Sequence, residues 1–278
     1  MSNNPMLSER VKAALIFIPL VLIMIYLGGW IFNLFILMIL LAAAYEYTRL
    51  FNRVGQPPSL PIILTGVTLT VIQQWFFRGE NLGLLLTLLF LLTAIAALIS
   101  YERGGEDPAV GFSLNLTGIL YLGWVGSAFI PLRGLAFGRG WMLTALPAVW
   151  LADSGAYFVG SWLGTRKMTP RLSPGKTWAG LVGGTVTGTL FGGLLVLLWR
   201  SIGWLPAETP LWQGVVMGAV LSLLAVVGDL LVSLFKRTAG VKDTGNLLPG
   251  HGGILDRIDS WVWAALAGYY LVIFFNSL

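Results

Sequence analysis

Apolar residues along this chain gather into about nine runs, each long enough to cross a bilayer core of about 30 Å as a helix of roughly 20 residues. The runs cover residues 12 to 28, 30 to 50, 60 to 77, 82 to 101, 111 to 131, 141 to 162, 177 to 199, 211 to 235 and 259 to 277. Glycine, proline and charge collect in the breaks: Gly28-Gly29, Pro57-Pro58, Arg78-Gly79-Glu80, Arg103 to Pro108, Gly138-Arg139-Gly140, Ser173-Pro174-Gly175 and Pro206 to Pro210. The pattern predicts an all-α, polytopic integral membrane protein with about nine transmembrane helices and no internal repeat. Residues 1–140 supply about five spans. Residues 141–278 supply about four, together with two charged loops that hold most of the candidate chemistry. The first run follows Glu9-Arg10-Val11-Lys12 and lacks a small-residue cleavage site, so it reads as a retained span.

Composition agrees with this pattern and excludes a soluble globule: of 278 residues 56% are hydrophobic and only 10% charged, more apolar surface than a single water-facing core could hide. The absence of cysteine rules out disulfides, thiolate metal sites and a cysteine nucleophile. The 17 basic residues modestly outnumber the 12 acidic ones, and no basic run carries interleaved aromatics, so nucleic acid is not an expected partner. When loops are assigned alternately to the two membrane faces, one face takes every basic residue except Arg78, Arg133, Arg139 and Arg200. By the positive-inside rule that face is cytoplasmic. The expectation is a protein of the cell inner (cytoplasmic) membrane with its N-terminus inside, its C-terminus outside and both charged loops inside.

The charges that remain crowd between Asp229 and Asp259. Asp229 lies within the eighth run, and Asp153, in Leu151-Ala-Asp153-Ser-Gly-Ala-Tyr157, lies within the sixth. An ionised carboxylate in hydrocarbon costs at least a few kcal/mol, so each is expected to face a polar cavity and to have a partner. Ser233 and Lys236 share the helical face of Asp229, one and two turns on. The plainer reading of Asp229 is a helix-end acid paired with Lys236 or Arg237. Beyond Lys242-Asp243, the run Pro249-Gly250-His251-Gly252-Gly253 either makes an ordinary turn or turns backbone N–H groups toward an anion. His251, the only histidine, suits a hydrogen-bond donor better than a base. Asp256 and Asp259 then open the ninth helix at i and i+3, where one of them could serve as a cap.

Arg166, Lys167, Arg171 and Lys176 form the second basic loop, whose plainer role is a positive-inside anchor. Lys176-Thr177 follows a Ser-Pro-Gly turn and opens the seventh helix, where free N–H groups can hold phosphate. The glycine spacing of a P-loop and its soluble strand–loop–helix are missing, so that motif is rejected. Two or three carboxylates for a hard divalent cation, with Lys and Arg for phosphate oxygens, suit in-line phosphoryl or nucleotidyl transfer. A membrane transporter using Asp153 and Asp229 as a cation site is the alternative. It fits less well, because charge clusters at one face and inverted repeats are absent.

These segments closely resemble the phosphatidate cytidylyltransferases, the CDP-diacylglycerol synthases. The family motif has the form Ser-x-x-Lys-Arg, four residues, Lys-Asp, then His-Gly-Gly, two residues, and Asp-Arg-x-Asp. Ser233, Lys236, Arg237, Lys242, Asp243, His251, Gly252, Gly253, Asp256, Arg257 and Asp259 match it throughout. Asp153-Ser-Gly-Ala-Tyr157 and Ser173-Pro-Gly-Lys176-Thr177 are also similar to family segments. Ala179 departs from the pattern, since many members place an acid there before the glycine. The resemblance implies transfer of CMP from CTP to phosphatidic acid within the lipid bilayer, with Mg²⁺ as cofactor. It leaves open a second metal ion, divalent or monovalent, and a homodimer. It further implies that Asp229 and Asp256 hold the metal, and that Lys236, Arg237, Lys242, Asp243, His251, Arg257 and Asp259 complete the catalytic set. Asp153, Ser173, Lys176, Thr177, Ser233, Gly252 and Gly253 would contact substrate. A CDP-alcohol phosphotransferase is excluded, because its Asp-x-x-Asp-Gly-x-x-Ala-Arg run does not occur.

Overall fold

The computed structural model of the protein describes residues 17–55, 58–245 and 252–278. His251 is the one expected site residue that lies outside them. In chain order the helices are α1 (Phe17–Leu27), α2 (Gly29–Asn52), α3 (Leu60–Phe77), α4 (Leu82–Glu102), α5 (Pro108–Gly118), α6 (Phe129–Gly134), α7 (Gly138–Leu163), α8 (Trp178–Ser201), α9 (Leu211–Thr238) and α10 (Leu255–Asn276). A seven-residue π-helical stretch, Ile119–Val125, continues α5 toward α6, so Pro108–Gly134 forms a single candidate span. Among the described residues eight helices are long and apolar enough to cross a membrane. The shorter α1 falls on the first expected run. The protein is therefore a polytopic, all-helical membrane protein, as the hydrophobic runs predict. The strands found among the described residues are two short ones, β1 (Lys167–Thr169) and β2 (Ser173–Thr177).

The chain divides into two compact units. One comprises Met1–Pro131 and Thr238–Asp256, and the other Leu132–Arg237 and Arg257–Leu278.

In the first unit the core is built by Leu40, Ala43, Ala44, Tyr47 and Leu50 of α2, Ile63, Val67 and Val71 of α3, and Ile119 and Leu122 of the π-helical stretch, all fully buried. Gly66 lets α3 approach that stretch closely, since a Cβ there would come within 2.6 Å of Ile119 Cγ1. Tyr47 donates its hydroxyl to the Leu114 carbonyl at 3.0 Å, and the Ser59 N–H donates to Asn115 Oδ1 at 2.7 Å. Both bonds satisfy polar groups that lipid could not. By contrast α4 buries only Leu89 and Thr93 and turns Leu84, Leu88, Leu91, Ile95 and Leu98 outward, the surface of a lipid-facing helix.

The second unit is organised by glycine. Gly180, Gly184, Gly188 and Gly192 recur every four residues on α8 and form a stripe without side chains. A Cβ at Gly184 would come within 2.8 Å of the Ala152 carbonyl of α7. One at Gly188 would strike Ser222 and the Gly218 carbonyl of α9, and one at Gly192 the Gly214 carbonyl. Lipid tails are as apolar as leucine, so close van der Waals contact between backbones, rather than hydrophobic burial, drives this association. The packing sets Ala152, the neighbour of Asp153 on α7, against Gly184 and Gly188 of α8, and Lys176, just before α8, beside Asp229 of α9.

The segment before α8 departs from expectation. Ser173-Pro174-Gly175 is not a turn; it begins β2, which pairs antiparallel with β1 in the register Lys167↔Thr177 and Thr169↔Ser173. The helix starts one residue later than expected, at Trp178, because Thr177 takes the N-cap position with extended backbone. Its hydroxyl accepts the Gly180 N–H at 3.0 Å. An isolated two-stranded hairpin is marginal at best. This one is tied down by α9, where Arg237 Nε donates to the Leu172 carbonyl at 3.3 Å.

Candidate active site

Lys176 lies on the last turn of extended chain before the N-cap, and the hairpin aims its ammonium at α9. The Lys176 Nζ is 2.6 Å from Asp229 Oδ2 and also donates to the Val226 carbonyl at 3.4 Å. Ser233, one turn beyond Asp229, donates to Oδ1 at 3.3 Å. Both oxygens of this intramembrane acid are thus engaged. The helix-end pairing of Asp229 with Lys236 or Arg237 is corrected: its ion-pair partner is Lys176, which no spacing along α9 could indicate. Asp153 and Asp259 are within electrostatic reach of Asp229, and Lys176 acts on Asp153 as well. Asp259 is buried and its Oδ1 accepts the N–H of Ser260 at 2.6 Å. Its backbone carbonyl closes on α9 at Gly228, where a Cβ would collide with it and with the Trp263 ring. Lys176 of the hairpin and Asp229 of α9 therefore form an ion pair in an apolar unit, with the acids Asp153 of α7 and Asp259 of α10 within electrostatic reach.

The rest of this unit's expected set lies on the same elements, Ser173 and Thr177 on β2, Ser233, Lys236 and Arg237 on α9, and Arg257 on α10. Ser233 and Thr177 are buried, Ser173 and Lys236 half-buried, and Arg237 and Arg257 exposed. Thr177 is occupied as the helix cap, so its hydroxyl serves the fold before it could serve a substrate.

Within the first unit, a separate loop ends on Asp256. Asp256 Oδ2 accepts three bonds: from Thr244 N–H at 2.8 Å, Thr244 Oγ1 at 2.9 Å and Gly253 N–H at 3.1 Å. Gly252 has φ +81°, a left-handed conformation that favours glycine, and Gly253 allows close approach, since a Cβ there would strike Thr244 Oγ1 and Glu46 Oε2. Gly252 and Gly253 thus make a built turn beside an acid, with the Gly253 N–H aimed at the protein's own carboxylate. Asp243 lies beside Gly252, and both Lys242 and Asp243 are exposed.

Sequence reasoning missed Glu46. It sits within α2, is only 3% exposed, and its Oε2 accepts the N–H of Leu255 at 2.9 Å and lies 3.2 Å from the hydroxyl oxygen of Thr244. The rule that singles out Asp153 and Asp229, an acid inside an apolar run, applies equally to Glu46.

A profile of the cytidylyltransferase family matches residues 8–275. The chain belongs to that family. Proteins named phosphatidate cytidylyltransferase are similar along nearly their whole length. One from Brucella suis is 36% identical over 279 residues, covering 97% of this chain and 93% of the relative. One from Pseudomonas aeruginosa is 35% identical over 264 residues, covering 92% and 93%, and one from Bacillus subtilis 33% identical over 273 residues, covering 96% of both.

Among the described residues no group of three or more acidic or imidazole side chains converges to cage a metal ion. Mg²⁺ keeps much of its water and is commonly held by one or two carboxylates plus substrate phosphates, so it does not require such a cage. Asp229, with a side chain 38% exposed, offers hard oxygen donors of the right kind, though a cation there would compete with the Lys176 ammonium.

Proposed function

We propose that the protein transfers CMP from CTP to phosphatidic acid, forming CDP-diacylglycerol and pyrophosphate. A phosphate oxygen of the lipid attacks the α-phosphorus of CTP, a new P–O bond forms, the bond from the α-phosphorus to the bridging oxygen breaks, and pyrophosphate leaves. The attacking phosphate is already ionised, so no activated serine or cysteine is needed. Positioning and charge neutralisation carry the catalysis.

The observation that carries this reading is the Lys176–Asp229 pair, a cation and an acid joined at the start of α8 in a unit otherwise packed for lipid. On arrival of a triphosphate, Lys176 has an alternative anionic partner, and its move from Asp229 to phosphate would free Oδ2 as a donor. Lys236 and Arg237, in the last turn of α9, supply further positive charge for the triphosphate or the lipid phosphate. Asp229 and Asp256 would hold Mg²⁺, which when bound screens the phosphate charges and stabilises charge developing on the transferring group. The site works from the cytoplasmic face, with the N-terminus inside and the C-terminus outside, as the distribution of Lys and Arg supports. Names borne by the similar proteins support the substrate pair.

The test is pyrophosphate release from CTP by purified protein in detergent micelles, with and without phosphatidic acid. Release that requires the lipid is expected. Release indifferent to the lipid would refute the assignment of the acceptor.

A further inference from the structure

Glu46 is a carboxylate about six residues inside the C-terminal end of a membrane helix, which by helix rise is roughly 9 Å from that end. Such a residue is costly to keep. Its contacts are not with neighbours in sequence but with the loop that ends on Asp256. Glu46 Oε2 accepts the N–H of Leu255, the residue immediately before Asp256, at 2.9 Å. The same oxygen is 3.2 Å from Thr244 Oγ1, which also lies 2.9 Å from Asp256 Oδ2. A threonine hydroxyl has one hydrogen and so donates to one carboxylate at a time. The Leu255 N–H is therefore the contact Glu46 has to itself, and Thr244 links the two acids. Both glycines that face this carboxylate are shaped by it. A Cβ at Gly245 would lie 2.5 Å from Oε1, and one at Gly253 would strike Oε2. Oε1 itself is buried without a hydrogen-bond partner among the described residues. Packing alone would be served as well by leucine or methionine, without burying an unsatisfied oxygen.

We infer that Glu46 is a positioning residue for nucleotidyl transfer: from α2 its carboxylate fixes the backbone at Leu255, just after the glycine turn, and meets the Thr244 side chain before it, and so sets where Asp256 points. This rests on the reaction proposed above. A misplaced acid weakens stabilisation of the transition state more than binding of the ground state, so the effect belongs in kcat.

The experiment compares Glu46→Ala, Glu46→Gln and the parent, matched for folded protein in detergent, by steady-state kinetics with CTP and by amide hydrogen exchange of the whole chain. Glu46→Ala is expected to lower kcat by about thirtyfold or more while KM for CTP changes by less than about threefold. Exchange in the segment 252–258 should quicken by about tenfold, with α7 and α8 unchanged. Glu46→Gln keeps a carbonyl that can accept the Leu255 N–H, so it should recover at least about threefold of the lost kcat and part of the protection. The inference is overturned if folded Glu46→Ala turns over at the parental rate, or if exchange quickens equally throughout the chain. A glutamine variant no better than alanine in both readouts would overturn it as well. Failure of the reaction assignment looks different: the parent itself would then release no pyrophosphate in response to phosphatidic acid.

Discussion

Replacing Lys176 by methionine keeps most of the side-chain length and removes the ammonium. The structure indicates how much this should matter. Lys176 makes one charged contact with Asp229 at 2.6 Å and a weaker one with the Val226 carbonyl at 3.4 Å. The two side chains are 20% and 38% exposed, so the cost of about 3–5 kcal/mol for breaking a fully buried pair is too high here, and solvent screening discounts it. A single charge-assisted hydrogen bond, about 1.5–3 kcal/mol, is the better measure. At about 1.4 kcal/mol per decade this is a loss of roughly ten- to a hundredfold in kcat/KM for CTP. Lys167 on the same hairpin is exposed and serves as the control, with Lys167→Ala expected within about twofold of the parent. The assay is pyrophosphate release at varied CTP and saturating phosphatidic acid, with folded protein quantified by size-exclusion chromatography. Equal losses in the two variants would refute a specific phosphate contact and leave hairpin charge as a general aid to folding or topology.

Asp229→Asn and Asp256→Asn should each stay folded yet lose at least about a thousandfold in turnover, near 4 kcal/mol, and the double variant should be little worse than either one, as expected of acids acting on one cation. A chelator should abolish parental activity and added Mg²⁺ restore it; a folded Asp256→Asn variant at the parental rate would falsify the metal assignment. Gly188→Val should lower the thermal midpoint in detergent by several degrees through its collision with Ser222 and Gly218, whereas Gly134→Ala, with open space around it, should not. A reporter active only outside the cytoplasm should work when fused after Leu278, and a cytoplasmic reporter there should not; the opposite result would contradict the nine-span, N-terminus-inside topology.

The spans were legible because lipid imposes one rule, long apolar runs with satisfied backbones, that does not depend on partners far away in sequence. Thr177 was legible as a helix start within one residue, and Ser233 as a neighbour of Asp229, because both relations lie within one turn. The hairpin was not. Its Ser-Pro-Gly segment carries turn chemistry, and only pairing with Lys167–Thr169 makes it a strand. Nor was the partner of Asp229 legible, since Lys236 is closer in sequence while α8–α9 packing delivers Lys176. Glu46 shows the same limit more sharply. Its position inside an apolar run signals a buried acid, yet its contacts, Thr244 and Leu255, lie 198 and 209 residues away. The motif's glycines could be read as an ordinary turn or as an anion cradle, and the structure shows the Gly253 N–H turned toward Asp256.

The central claim, that CMP moves onto the phosphate of phosphatidic acid, is tested most directly by following each phosphorus of CTP. Purified protein in vesicles containing phosphatidic acid would be given CTP labelled at the α- or the γ-phosphate. The account predicts that α-label enters the organic-extractable lipid, that γ-label appears only in water-soluble pyrophosphate, and that the two grow in equal amounts. Release of γ-label as inorganic phosphate, or γ-label in the lipid fraction, would contradict it.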